Sequence, residues 1–276
     1  MRKIENLREL QLVNVFIYKE LAEFCERNGL KVYLLGGSLI GAVRHKGFIP
    51  WDDDLDVCMS RKDYNKMLKI SKGRISENCS VVDPAKNKDF KGYISLVSYD
   101  KSKIVSKQYK QRENAKISVS VFVYDGVPSN IAVRFFYYLH MYFLRAEHAL
   151  CRSDFDHVNS KLAKIVGPIL SVFYKPKDVY RYKKKILKLQ KKYPYEKSKY
   201  VAPNSDTNAW LEVFSRRSFE KTVKLDYEGV KCDAFCYYDE HLRKYYGDYM
   251  QFPPVEARVP KHSFDAWIDK SFDFNE

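Results

Sequence analysis

The order of four elements near the start of the chain constrains its fold more than any other feature. The apolar run from Lys31 to Leu35 predicts a short strand, and Gly36-Gly37 predicts a turn after it. Ser38 is a suitable N-cap for a helix over about 39–45. Acidic and apolar residues then alternate over 54–59, which predicts a second strand. This order is typical of an α/β fold.

Four aspartates occupy five positions just before and at the start of the second strand, Asp52, Asp53, Asp54 and Asp56. Carboxylates this close repel one another, and a bound divalent cation is the usual compensation. Alternate side chains of a strand share a face, so we expect Asp52, Asp54 and Asp56 to point together and Asp53 to point away. Hard oxygen ligands of this kind suit Mg²⁺, and with phosphate oxygens they can hold one or two ions. The cluster therefore predicts metal-assisted phosphoryl chemistry; the alternative is a solvated acidic loop.

The turn before the helix is suited to a phosphate group. Gly36 and Gly37 let the backbone approach a ligand closely, and a helix that opens at Ser38 presents free N–H groups to it.

The composition favours an anionic partner. The chain has 276 residues and a net charge of +14, with 49 Lys and Arg against 35 Asp and Glu. Such a surface attracts nucleotides, anionic lipid or phosphorylated glycan, although a lysine-rich surface also serves solubility alone. No nucleic-acid-binding module is recognisable, so we expect no nucleic acid partner.

The cysteines and the apolar runs indicate a cytoplasmic location. Six cysteines are scattered without the spacing of a disulfide framework, which favours a reducing compartment. No apolar run approaches the roughly 18 to 20 residues that cross a bilayer, and the first residues do not resemble a signal peptide.

We divide the chain into three segments. Residues 1–128 are predicted to form the core with the metal site, because strand-like runs from Tyr93 end at a predicted turn, Asp125 to Pro128. Residues 129–213 are basic, aromatic-rich and predicted to be helical, and residues 214–276 complete the domain.

The segment GGSLIGAVRHKGFIPWDDDLDVCMSRKDY, from Gly36 to Tyr64, closely resembles the LicD family, which includes bacterial phosphorylcholine transferases and animal fukutin-related proteins. Two further blocks, Val121 to Pro128 and Tyr245 to His262, extend the resemblance over nearly the whole chain. The resemblance implies a polymerase-β-type nucleotidyltransferase core, here with a helical elaboration.

The resemblance also implies a reaction. A substituted phosphate, phosphocholine or a polyol phosphate, would pass from a CDP-activated donor to a hydroxyl of a cell-surface glycan, such as a capsule or teichoic acid, or of a lipid-linked precursor. Mg²⁺ or Mn²⁺ would assist, and CMP would leave. Two alternatives stay open: a nucleotidyltransferase that acts on a small molecule and releases pyrophosphate, and a catalytically weakened homologue that binds glycan or nucleotide.

The family pattern assigns roles to particular residues. Asp54 and Asp56 match the principal metal ligands, and Asp52 matches a further acid that is either a ligand or the proton acceptor. The residues that would contact the donor, besides the glycine turn and Ser38, are Arg44, His45, Lys46, Arg258 and His262. The sequence is equally compatible with a purely structural role for some of these residues. His45 could simply end a helix, and Arg258 and His262 could close the domain.

The chain departs from the family at Ser120, where the family usually has the third carboxylate of the metal site. A serine oxygen binds a dication more weakly than a carboxylate does. Asp52 and Asp125 are candidates to compensate, and we expect Asp52 to do so.

Two further patterns have two interpretations each. The aromatic run from Phe135 to Leu144 predicts a buried core helix; the alternative is a membrane-contacting face, supported by Lys183 to Lys185, beside an anionic membrane. Cys232 and Cys236 with His241 have partial zinc-site spacing, but without a second pair we predict packed thiols.

Overall fold

The protein folds around a mixed β-sheet, as seen in a computed structural model that describes residues 1–106, 114–155, 161–260 and 264–274. The strands are β1 (Arg2–Lys3), β2 (Tyr33–Leu34), β3 (Asp56–Ser60), β4 (Cys79–Val82), β5 (Ser95–Tyr99), β6 (Ser102–Ser106), β7 (Asn114–Ala115), β8 (Ser118–Val127), β9 (Tyr200–Pro203), β10 (Phe214–Ser215), β11 (Thr222–Tyr227), β12 (Val230–Phe235) and β13 (Phe264–Ile268). The helices are α1 (Leu7–Arg27), α2 (Gly36–Ile40), α3 (Arg61–Ser71), α4 (Ile131–Arg152), α5 (Lys161–Ser171), α6 (Val179–Gln190) and α7 (Tyr238–Tyr246). The predicted α/β fold is confirmed.

Strand β8 is the centre of the main sheet. One of its edges pairs with β3 in parallel, and β3 in turn pairs with β2. Its other edge pairs antiparallel with β5 along the first half and with β9 along the second half. The β3–β8 register sets Asp56 directly opposite Ser120. The sheet therefore brings the acid-bearing strand and the serine of the family departure side by side.

Helix α1 provides much of the core beneath this sheet. Its apolar residues recur at helical spacing, and Val13, Ile17 and Leu21 are fully buried. The side chain of Asn6 caps its first turn by accepting the Glu9 N–H at 3.0 Å. The spacing of the apolar residues thus matches the face of α1 that is buried.

Two predicted boundaries are wrong. Helix α2 begins at Gly36, not after Ser38, and it continues as a π-helical turn over Gly41–His45. Strand β8 extends to Val127, so Asp125 lies in the strand and not in a turn. Asp125 is buried there and accepts two hydrogen bonds from the Arg61 guanidinium, at 2.8 and 2.6 Å. This buried bidentate pair joins the start of α3 to β8, which the local sequence does not reveal.

The helical segment forms a second, smaller core with the sheet. Side chains of α4 and α6, among them Tyr137, Met141 and Ile186, pack together there. The prediction of a wholly buried α4 is wrong, because Phe135 and Phe136 on its opposite face are 62% and 66% exposed. The division into three segments stays a prediction, and both β9 and β10 lie in the main sheet. In the part of the chain that the structure describes, no helix is long and apolar enough to span a bilayer.

The C-terminal part of the chain pairs with strands from its N-terminal half. Strand β13 pairs with both β1 and β6, and β11 and β12 form a hairpin. All six cysteines, each within the described ranges, are free thiols. Cys232 is buried, and His241 lies between the rings of Phe214 and Phe235, at 4.9 and 5.0 Å. The prediction of packed thiols is confirmed for Cys232, whereas Cys236 is partly exposed.

Candidate active site

The acidic cluster is tighter than the sequence predicted. Asp52, Asp53 and Asp54 each place a carboxylate oxygen within 4.8 Å of the others. Asp53 therefore does not point away, contrary to the prediction. The reason is that β3 begins only at Asp56, so the strand alternation does not yet apply to Asp52, Asp53 and Asp54. Asp52 and Asp53 are buried and Asp54 is partly exposed.

Asp56, at the first position of β3, lies outside this group of three carboxylates but near enough for their charges to act on it. Burial raises the pKa of its carboxyl well above the usual range, and the negative charges of Asp54 and Asp52 raise it further. A hydrogen bond with the Ser120 side chain opposes this shift. A bound cation would offset the negative charge that raises the pKa of Asp56. The donor set, hard oxygens with excess negative charge, fits Mg²⁺ or Mn²⁺.

Residues of the Gly36-Gly37-Ser38 segment pack against the acidic segment. A Cβ atom on Gly37 would lie 2.5 Å from Asp52 Oδ2, so only glycine fits against that carboxylate. Gly36 has φ +56, a left-handed conformation that favours glycine, and its Cα faces the Tyr246 hydroxyl. Ser38 lies inside α2, where its Oγ accepts the Asp56 N–H at 2.9 Å. Gly37 and Ser38 thus position Asp52 and Asp56, through contacts that the sequence did not predict.

The predicted donor-binding cations contact the C-terminal segment. Arg44 donates to the carbonyl oxygens of Tyr249 and Gln251, at 2.6 and 3.0 Å. Its guanidinium lies 4.7 Å from the centre of the Phe252 ring, and that of Arg258 lies 5.3 Å from the same centre. Burial and the charge of Arg258 lower the pKa of Arg44. The structure therefore brings Arg44 and Arg258 together around one aromatic ring.

The remaining predicted donor-binding residues differ in their surroundings. His45 lies against Trp51 and Phe252, and its Nε2 is buried with no hydrogen-bond partner within the described chain. Burial and the neighbouring Arg44 lower its pKa. Lys46 is exposed, and its carbonyl oxygen accepts a hydrogen bond from the Glu228 N–H at 2.9 Å. His262 lies outside the described residues.

The structure distinguishes between Asp125 and Asp52, the two acids that were candidates to compensate for Ser120. Asp125 lies five residues along β8 from Ser120, about 16 Å away in an extended strand, and is paired with Arg61. It therefore cannot replace the missing acid. Asp52 lies in the cluster, as expected.

Asp206 and Tyr246 are site residues that sequence reasoning missed. Among the causes that raise the pKa of Asp56, after burial and the other acids, is the charge of Asp206, which follows β9. Burial raises the pKa of Tyr246, and the charges of Asp56 and Asp206 contribute. Tyr246 belongs to the third block of the family resemblance, which was the available signal. Asp206 had none, because only the folding of β9 beside β8 brings it near.

A cavity of about 880 Å³ opens beside Ser120. It lies between the β4–β5 region and the second half of α4. Its basic lining residues are Lys91, Lys116, Arg145, His148 and Arg152. The spacing of Arg145, His148 and Arg152 on one helical face was the sequence signal for this basic wall. The cavity is large enough for a nucleotide-sized or oligosaccharide ligand and adjoins the Asp56–Ser120 pair.

The parallel β3–β8 pair, the clustered aspartates and the glycine turn that supports them define a phosphotransferase built on a nucleotidyltransferase core. Residues 29–161 match the family described as LicD/FKTN/FKRP, nucleotidyltransferase domain. The chain is 30% identical over 280 residues to the lipopolysaccharide cholinephosphotransferase LicD of Haemophilus influenzae, covering 97% of this chain and 100% of that protein. The protein belongs to the LicD family and is a LicD-type phosphotransferase.

Shorter similarities involve two uncharacterized rickettsial proteins. RP689 of Rickettsia prowazekii is 43% identical over 54 residues, which is 20% of each chain. RT0683 of Rickettsia typhi is 43% identical over 47 residues, 17% of this chain and 15% of that protein.

Proposed function

We propose that this protein transfers phosphocholine or a polyol phosphate from a CDP-activated donor to a hydroxyl of a cell-surface glycan or its lipid-linked precursor, with Mg²⁺ or Mn²⁺. The observation that carries the proposal is the group of three carboxylates with Asp56 beside it, hydrogen-bonded to Ser120, which lines a large cavity with basic side chains. The full-length similarity to a protein named as a lipopolysaccharide cholinephosphotransferase supports the same reaction class.

The acid cluster is the proposed metal site. Asp54 and Asp56 are the ligands in this proposal, with Asp52 as a further oxygen donor beside them. The cation would neutralise negative charge on the donor phosphates and on the departing CMP. Gly37 and Ser38 keep Asp52 and Asp56 in place through the contacts described above.

The reaction is an in-line displacement at phosphorus. The acceptor hydroxyl oxygen forms a bond to the phosphorus that bears the choline or polyol group, and the bond from that phosphorus to the CMP oxygen breaks. The hydroxyl proton passes to a carboxylate of the cluster. The products are a phosphodiester on the acceptor and CMP, so charge and atoms balance. The basic wall of the cavity, Arg145 and Lys91 among its members, attracts the anionic donor.

We propose that Asp206 supplies part of the negative charge that Ser120 lacks. Support comes from the effect of its charge on the pKa of both Asp56 and Tyr246. The Asp206 carboxylate is itself held by the Asn208 N–H at 2.6 Å. In this proposal Asp52, inside the cluster, and Asp206, from a distant part of the chain, share the compensation for Ser120.

The cytoplasm is the proposed location, with peripheral contact at the inner face of the membrane. Six free thiols, five of them buried, support a reducing compartment.

The decisive experiment measures CMP release. The protein is incubated with Mg²⁺ or Mn²⁺, with CDP-choline, CDP-ribitol or CDP-glycerol, and with a glycan acceptor. CMP release that requires the acceptor supports the proposal. Pyrophosphate release from CTP and a small molecule instead indicates the nucleotidyltransferase alternative. Donor binding without turnover indicates the third alternative, a catalytically weakened homologue, which the serine at position 120 specifically suggests.

Variants test the individual roles. Asp54→Asn and Asp56→Asn are expected to reduce turnover at least about 100-fold and to weaken Mn²⁺ binding measured by electron paramagnetic resonance. Asp52→Asn and Asp206→Asn test the two compensating acids in the same assays. Asp226→Asn, an exposed aspartate of the β11–β12 hairpin, is the matched control and should leave both values unchanged. Turnover and Mn²⁺ binding at the parent level in Asp52→Asn would exclude compensation by Asp52.

A further inference from the structure

Helix α4 has two apolar faces, and only one is covered in the described part of the chain. Tyr137 and Met141 lie on the buried face, against the second core. Phe135, Leu139 and Phe143 follow one another at four-residue spacing on the opposite face and are exposed. A helix at the surface of a globular protein normally has polar side chains on the face that contacts water.

The neighbouring helix α5 continues this exposure. Gly167 is its buried position, against the ring of Phe155. Leu162, Ile165 and Ile169 are exposed, and Phe173, just after the helix, is 79% exposed. We call the whole set the α4–α5 face; its members are Phe135, Phe136, Leu139, Tyr142, Phe143, Leu162, Ile165, Ile169, Val172 and Phe173. Large exposed apolar surfaces of this kind mark contact with another molecule or a membrane.

The charge around the α4–α5 face identifies its partner. Residues 161–192 contain eleven Lys and Arg but a single acid, Asp178, so this stretch carries most of the net charge of +14. Lys184 and Lys185 are exposed on α6, and Lys164 is exposed on α5 itself. Lys183 is buried, with its ammonium donating to the carbonyl oxygens of Asn87 and Phe90, so it does not contribute to this surface.

Aromatic and aliphatic side chains beside exposed lysines are the combination that binds an anionic lipid surface. The apolar groups enter the acyl boundary, and the lysines attract the head groups. A nucleic acid would use the lysines but would leave the aliphatic residues of α5 in water. We propose that α4 and α5 dock in the plane of an anionic lipid bilayer through the α4–α5 face.

Docking has a consequence for the active site, and this consequence alone rests on the proposed function. The second half of α4 supplies Arg145, His148 and Arg152 to the basic cavity beside Ser120. A docked α4 would therefore hold that cavity close to the bilayer, where a lipid-linked acceptor would present its glycan.

The test is sedimentation of the full chain with sucrose-loaded vesicles. Vesicles of phosphatidylcholine alone are compared with vesicles that contain about 30% phosphatidylglycerol, an anionic fraction that should attract lysines strongly. We expect binding to the anionic vesicles, weakened by raised salt, and at least about tenfold weaker binding to the neutral ones. Binding to neither, or equally to both, would overturn the proposal.

Two variant pairs separate the apolar and charged contributions. Phe135→Ser/Phe136→Ser should reduce vesicle binding at least about tenfold, whereas Ile70→Ser/Tyr237→Ser, exposed apolar residues elsewhere, should not. Lys184→Glu/Lys185→Glu should also reduce it, more than Lys62→Glu/Lys69→Glu, which makes the same charge change on α3.

Further measurements keep the result interpretable. Far-ultraviolet circular dichroism checks that each variant is folded, and Ile165→Ser/Ile169→Ser on α5 repeats the apolar test if the α4 variant is not. Sedimentation equilibrium checks for a dimer: a dimer abolished by the α4 variant, with no vesicle binding, would assign the face to a second copy and refute membrane docking. CMP release with a soluble acceptor should be unchanged in the docking variants, so failure of docking and failure of the proposed reaction are distinguishable.

Discussion

Ser120→Asp should make the stability of the protein depend strongly on a divalent cation. Ser120 and Asp56 are register partners on the parallel strands β3 and β8, and the two side chains are hydrogen-bonded. Neighbouring strands lie about 4.8 Å apart. Two carboxylates at about 5 Å, with an effective dielectric constant of about 20, repel each other by about 3 kcal/mol. The cavity beside Ser120 leaves room for the larger side chain, so a steric cost should be small.

The sign of the pH dependence follows from the raised pKa of Asp56. A second carboxylate raises the pKa of the pair further, so the folded state retains a proton that the unfolded state has lost above about pH 4. Stability therefore falls as the pH rises from about 4 toward the raised pKa of the pair. A bound Mg²⁺ stabilises the charged form and should reverse this loss.

Thermal unfolding followed by circular dichroism at pH 5 and pH 8, with and without Mg²⁺, tests this reasoning. A loss of about 3 kcal/mol corresponds to a decrease in Tm of about 6 to 12 °C in a chain of this size. We expect that decrease at pH 8 without Mg²⁺, a smaller one at pH 5, and recovery with Mg²⁺. Ser118→Asp, two residues along the same strand, is the control and should respond less to Mg²⁺. Equal Mg²⁺ responses of the two variants, or an unchanged Tm in Ser120→Asp without metal, would refute the reasoning.

Three further predictions concern the surroundings of the site. Gly37→Ala must displace the Asp52 carboxylate, since the new Cβ would lie 2.5 Å from Oδ2; Mn²⁺ affinity should fall at least about tenfold in a paramagnetic resonance titration, and unchanged affinity would contradict the packing argument. Burial raises the pKa of Glu212 to about 8. The stability of the wild-type protein should therefore fall between about pH 4.5 and pH 8, by on the order of 4 kcal/mol. Glu212→Gln should flatten this pH dependence in thermal melts at pH 5 and 8.5, and the same pH dependence in both proteins would contradict the prediction. Arg44→Gln removes two hydrogen bonds to the carbonyls of Tyr249 and Gln251, so unfolding should cost about 2 kcal/mol less and limited proteolysis should cut near these residues faster; an unchanged cleavage rate would show that Arg44 does not hold this segment.

The elements that depend on local pattern were predictable. The helices α1 and α3 follow the local spacing of their apolar residues, because each helix buries one face against the same core. The family resemblance placed Ser120 at the metal site, and the β3–β8 register confirms that position beside Asp56. These inferences needed only neighbours in sequence or a motif that spans them.

The errors share one physical cause, which is dependence on partners distant in sequence. Asp53 faces the cluster because β3 begins at Asp56, and that boundary is set by pairing with β8. Gly36, the first residue of α2, adopts a left-handed φ beside Tyr246, a neighbour more than 200 residues away that the local sequence does not show. Asp206 enters the site only after β9 has paired with β8.

The amino-acid sequence by itself determined the reaction class, the acid cluster and the α/β core, because these reside in short motifs whose residues are close together along the chain. Only the tertiary structure decided which polar groups face one another, since Asp56 and Ser120 belong to separate strands, and it also brought Asp206 near enough for its charge to raise the pKa of Asp56. It also decided which of two apolar faces of α4 is buried. A helical repeat shows that a face is apolar, but only packing against another element shows whether that face is covered.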